Sequence, residues 1–186
     1  MEGSIRIALI GAGMFGGDVH ARAYGDLQRA GIAPQLGRIG LDSWARDFAT
    51  IKFELVAVAT RSEKSALRAQ ENYHSCTGER PRTYWGAEPW KKVLRDFPGL
   101  DVLAVATPDN LHTEVILAGL NAGAHVLTEK PMCLEIGEAD QIIELAEKKK
   151  RIVAVDTHKR YDPDHLRVRD DIRRRISSRT RKWSGS

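Results

Sequence analysis

Apolar residues in this chain gather into short, largely continuous runs, at 5–10, 54–59, 83–85, 101–106, 124–127 and 152–155. Runs of this length, without polar alternation, read as strands buried on both faces. Between them lie stretches with helical spacing, at 14–30, 63–73, 89–97, 112–122 and 135–149. Pro89 suits the first turn of its helix, and Gly123 suits a helix stop. Strands alternating with helices predict a parallel sheet with right-handed crossovers. The expected fold is therefore α/β, a doubly wound parallel sheet of Rossmann-like type. Two stretches break the alternation. Residues 31–53 read as an insertion carrying Pro34, Gly37 and Gly40, with a short helix around 44–48. Residues 166–176 read as a helix and 177–186 as unstructured.

Composition changes this picture little. A chain of 186 residues is long enough for one domain that buries about 70% of its unfolded surface. No apolar run approaches the roughly 20 residues of a membrane span, and the first six residues lack a signal-peptide layout. Cys76 and Cys133 are the only cysteines, too few for a disulfide framework and without metal-ligand spacing. No metal site is expected, and a cytoplasmic protein is. The net charge of +4 is uneven. From Lys159 onward ten Lys and Arg face four Asp, a surplus of six that leaves the rest at −2. The body is nearly neutral and no nucleic-acid recognition motif is visible, so nucleic acid is not the expected partner.

Candidate chemistry begins at Gly11-Ala12-Gly13-Met14-Phe15-Gly16, which follows the first strand and opens a helix. In that context Gly11 allows a tight turn, Gly13 lets the backbone approach a pyrophosphate, and Gly16 lets the helix pack on the strand. Met14 and Phe15 lie in the same loop and join the cofactor-binding set. A carboxylate at the end of the second strand would read a free ribose 2′-hydroxyl. Thr60, Arg61 and Ser62 stand there instead. A guanidinium between two hydroxyls suits a 2′-phosphate, so NADP is expected in preference to NAD.

Two further motifs, Thr107-Pro108-Asp109-Asn110-Leu111-His112 and Glu129-Lys130-Pro131, complete an ordered set with the glycine loop. Together the three resemble the Gfo/Idh/MocA family of NAD(P)-dependent oxidoreductases, from about residue 5 to residue 163. His20, soon after the loop, fits the family pattern as well. The resemblance implies that Thr107 and Pro108 flank the nicotinamide and that Asn110 and His112 line the cofactor cleft. Glu129 would contact the nicotinamide ribose, and Lys130 would hydrogen-bond the reacting hydroxyl or carbonyl. Pro131 would belong to an unusual turn that aims the lysine, and Arg160 matches an arginine near the cofactor. The implied reaction is hydride transfer between nicotinamide and a sugar, sugar derivative or cyclitol. Chemistry supports a positioned acid/base such as Lys130, because an alcohol that loses hydride must also lose its hydroxyl proton.

Family members are longer, with a second α+β domain that holds substrate and supplies a histidine. That domain is expected to be absent here. Residues 1–158 read as the dinucleotide-binding domain, and 159–186 as a crossover segment with a basic tail, truncated or disordered. His165 is a poor substitute for the missing histidine, and Asp162 and Asp164 read as turn and cap residues. His125 reads as a satisfied core histidine, and Trp85 and Trp90 as packing residues. The expected partner is a small polyol or sugar, not a membrane. A homo-oligomer is compatible with the resemblance. The alternative to an enzyme is a cofactor-binding but catalytically incompetent protein with a regulatory or assembly role.

Overall fold

The first apolar run forms β1 (Gly3–Ile10), the centre on which the other strands are laid in a computed structural model that describes residues 3–183. On one side it pairs with β2 (Ile51–Thr60), which pairs with β3 (Arg82–Trp85). On the other side lie β4 (Val102–Val105), β5 (His125–Glu129) and β6 (Val153–Asp156). Every pairing is parallel, and the order is β3-β2-β1-β4-β5-β6. The expected doubly wound sheet is therefore present. The chain reverses its direction of travel across the sheet between β1 and β4, the switch point where such sheets bind ligands beyond the strand ends.

β2 begins earlier than the apolar run suggests. Its first residues pair in register, Gly3 with Ile51 through Ile5 with Phe53. At this end exposed Lys52 and Glu54 alternate with half-buried Ile51 and Phe53, so no continuous apolar run marks it. The register then slips between Ile7 and Ala8, which pair with Leu55 and Ala57. Beside this bulge the Leu55 N–H donates to the Tyr73 hydroxyl at 3.0 Å. Burial pushes the Tyr73 phenol up to about 12.

A π-helical turn, Gly16–His20, leads into α1 (Ala21–Ala30). The segment read as an insertion folds into two short helices, α2 (Ala33–Arg38) and α3 (Asp42–Phe48). α4 (Glu63–Thr77) is capped by Ser62, whose hydroxyl accepts the Ser65 N–H at 3.3 Å. α5 (Pro89–Asp96) starts on its proline, α6 (His112–Asn121) follows β4, and α7 (Ile136–Lys149) opens with a reciprocal Glu135–Glu138 capping box. Helices α1 and α4 cover one sheet face, where Leu9, Leu55, Val58 and Tyr73 pack together. On the other face, against α5 to α7, pack Trp90, Val93, Leu103, Ile116, Leu120 and Ile142. Each such large aliphatic or aromatic side chain contributes roughly 1.5–3 kcal/mol by leaving water.

Three expectations are corrected. Trp85 is 42% exposed on the edge strand, so only Trp90 is a core residue. His125 is half-buried, with its Nδ1 accepting the Ile152 N–H at 3.0 Å. The last helix, α8 (Pro163–Trp183), runs through residues 177–183, which read as unstructured. No Pro or Gly interrupts that stretch before Gly185, and its Arg and Lys residues are good helix formers. Asp162 does cap this helix, with its Oδ1 accepting the Asp164 N–H at 3.1 Å. Among the described residues no helix is long and apolar enough to cross a membrane.

Candidate functional site

The C-terminal ends of β1, β2 and β4 meet at the switch point. The Gly11 N–H donates to Ala59 O and the Ala106 N–H to Ile10 O, each at 2.7 Å. Gly11 takes φ +93°, and a Cβ there would stand 2.2 Å from the Ala106 carbonyl oxygen. A Cβ on Gly16 would stand 2.0 Å from the Gly11 carbonyl oxygen. Side chains are thus excluded from both positions by backbone. Gly13 differs, because a Cβ there would meet nothing within 4 Å.

Above this loop opens a cavity of about 610 Å³, within the size range of small-molecule sites. Gly11, Gly13, Met14, Phe15, Gly16, Thr60, Arg61, Thr107 and Pro108 line it. Its other walls are Ile10, Ala59 and Ala106 at the strand ends, Gly86, Ala87 and Pro89 after β3, Trp90, and Leu111. For Ile10, Ala59, Gly86 and Ala106 the signal in the sequence is position alone, at or just beyond the end of a strand. The Thr107 hydroxyl is buried with no hydrogen-bond partner among the described residues. These features fit a dinucleotide: an open Gly13 where an anion would approach, a helix start behind it, an exposed guanidinium at the far end, and largely apolar walls.

Other candidate residues stand elsewhere. Ser62 is engaged in capping α4. Asn110 is exposed on a 3₁₀ turn, and Leu111 faces the cleft in its stead. His112 is fully buried, its Nδ1 2.7 Å from Pro131 O and its Nε2 2.9 Å from Thr107 O. It ties the loop after β4 to the loop after β5. Arg160 lines a separate depression with Ile39, Leu41 and Leu166. Lys130 is exposed just beyond β5, and its bond to Pro131 is cis.

Behind Lys130 lies a buried polar cluster. His20 Nε2 is 2.8 Å from Glu129 Oε1 and 4.0 Å from Asp156 Oδ2, and His20 Nδ1 is 3.2 Å from the Tyr24 hydroxyl. Burial, reinforced by the charges of Asp156 and Glu129, pushes the Tyr24 phenol well above its ordinary range. The phenol therefore keeps its proton, and the Glu129 carboxylate at Nε2 accepts from the ring. Burial, then the Glu129 charge, also raises Asp156. His20, Glu129 and Asp156 present ligand-type atoms within 4.8 Å of one another. Tyr24 and Asp156 carry no motif, so the sequence had no means of flagging them.

Residues 5–157 match the family model described as an oxidoreductase family with an NAD-binding Rossmann fold. The chain is 29% identical to D-xylose 1-dehydrogenase (NADP(+)) of Hypocrea jecorina over 160 residues, 86% of this chain and 40% of that protein. It is 28% identical to D-glucoside 3-dehydrogenase of Escherichia coli over 171 residues, 90% of this chain and 39% of that one. A crystal structure of a putative oxidoreductase from Klebsiella pneumoniae superposes with a TM-score of 0.65 at 29% identity, over 91% of this chain and 39% of the other. The chain thus spans about two fifths of the length of these relatives.

Proposed function

This chain belongs to the Gfo/Idh/MocA family of oxidoreductases, and from that premise we propose that it binds NADP in preference to NAD and serves hydride transfer to or from a sugar, sugar derivative or cyclitol. The observation that carries this reading is the switch-point cavity, floored by the glycine loop and bordered by Thr60 and Arg61. No carboxylate stands at the end of β2 to reject a 2′-phosphate. The dinucleotide would supply the hydride acceptor or donor. We assign Gly11, Gly13 and Gly16 to the pyrophosphate seat, Arg61 to the 2′-phosphate, and Thr107 and Pro108 to the nicotinamide end. Lys130 would hold or deliver the proton at the reacting oxygen. We take residues 1–158 as the dinucleotide-binding domain and 159–186 as a crossover segment.

A second reading, cofactor binding without turnover, is favoured by the exposure of Lys130. The reacting oxygen needs a drier setting than an open strand end for an acid/base group to be effective. Fluorescence titration with NADPH and NADH, followed by turnover across sugars and polyols, separates the readings. Tighter NADPH binding that Arg61→Ala removes is expected. Tighter NADH binding refutes the NADP assignment. Turnover that Lys130→Ala abolishes supports the enzyme, and binding without turnover supports the second reading.

A further inference from the structure

The glycine loop and the lysine strand lie at the ends of different strands, yet one continuous set of contacts joins them. Phe15, on the cavity wall, sets its ring edge-on to the His20 ring at 5.6 Å and against His158 at 5.8 Å. His20 ends the π-helical turn that begins at Gly16. Such turns are rare and concentrate at functional sites. The His20 ring, 6% exposed, holds Glu129 at 2.8 Å, and Glu129 immediately precedes Lys130. Tyr24 and Asp156 close the cluster from α1 and β6. A burial this complete gives the imidazole few alternative orientations, so movement of the loop must be felt at Glu129.

We propose that His20 is a positioning residue that couples occupancy of the glycine-loop cavity to the placement of Lys130, by way of Phe15 on one side and Glu129 on the other. This rests on the dinucleotide reading of the cavity. Coupling of this kind is reciprocal: what the dinucleotide does to the lysine strand, the lysine strand does to dinucleotide affinity.

The test uses the full chain with its lysines reductively methylated with ¹³C, the Lys130 signal being identified by its loss in Lys130→Arg. In the wild type, NADPH should displace that signal. His20→Leu, which keeps bulk but no donor, should lose the displacement and weaken NADPH binding by about fivefold or more. His20→Gln, whose amide can still donate to Glu129, should restore both. A merely structural histidine would lower stability in both variants without distinguishing them. The free protein supplies an independent arm, because the proposal requires His20→Leu alone to shift the Lys130 signal. Coincident Lys130 signals in wild type and His20→Leu overturn the coupling, whether or not NADPH binds. Absence of NADPH binding to the wild type refutes the cofactor reading instead. Should His20→Leu fail to fold, Phe15→Leu breaks the link at the loop side, and retention of the full NADPH-induced displacement there overturns the proposal.

Discussion

Gly13→Ala separates what the glycine loop does for the fold from what it does for a ligand. A methyl group at this position meets no protein atom within 4 Å, and Gly13 is not among the glycines with positive φ. The substitution therefore introduces neither clash nor backbone strain. Restricting the unfolded chain should instead stabilise the protein by about 0.4–1 kcal/mol. For a domain of this size that is a rise in Tm of roughly 1–4 °C. Binding should respond in the opposite direction. A donor must come within about 3.2 Å of a phosphate oxygen, and a methyl group on the approach holds that oxygen away. Losing one hydrogen bond to a charged group costs about 1.5–3 kcal/mol, which weakens affinity roughly ten- to hundredfold. Gly16→Ala supplies the contrast, because its methyl group would stand 2.0 Å from the Gly11 carbonyl oxygen. It should lower Tm and affinity together. Differential scanning fluorimetry and NADPH titration read the two quantities on the same samples. Wild-type NADPH affinity in Gly13→Ala would refute the assignment of this loop to the pyrophosphate.

Tyr73→Phe should cost about 1–3 kcal/mol in urea denaturation, because it strands the buried Leu55 N–H beside the bulge; a cost near zero would mean the bulge finds another acceptor. Ser62→Ala should cost about 0.5–2 kcal/mol through the lost cap of α4 and should lower NADPH affinity only if that hydroxyl also meets the 2′-phosphate. Asp156 is raised above its ordinary value of 3.8, first by burial and then by Glu129. Folding thus favours its protonated form, a contribution present below that ordinary value and lost as pH rises through the raised one. Asp156→Asn should accordingly gain stability relative to wild type between pH 3 and pH 7, and thermal unfolding across that window showing no relative gain would contradict the assignment.

How far the site was legible in the sequence depended on whether local backbone demands carried the information. Gly11 and Gly16 announce themselves because a tight turn and a close helix approach admit no side chain, a constraint that spacing alone exposes. Thr60 and Arg61 are found by counting to the end of an apolar run. Asn110 and His112 share one motif yet part company in space, since Asn110 lies on an exposed turn and His112 points inward to bridge two carbonyls. Arg160 follows β6 but lines a depression with Ile39 and Leu41, between α2 and α3, and with Leu166 of α8, not the cavity. The start of β2 was missed because exposed Lys52 separates Ile51 from Phe53 and leaves no apolar run before Glu54.

By itself the sequence determined the fold class, the parallel alternation, the glycine loop and the family motifs, because burial on both faces of a sheet and tight backbone turns impose patterns on consecutive residues. Only the tertiary structure decided which motif residues share the cavity, and that His20, Tyr24, Glu129 and Asp156 form one buried cluster. Those four come from α1 and its preceding turn, β5 and β6, with His20 and Glu129 109 positions apart in the chain. Contacts at such separation are set by strand order and helix packing, which leave no periodic trace in the chain that makes them.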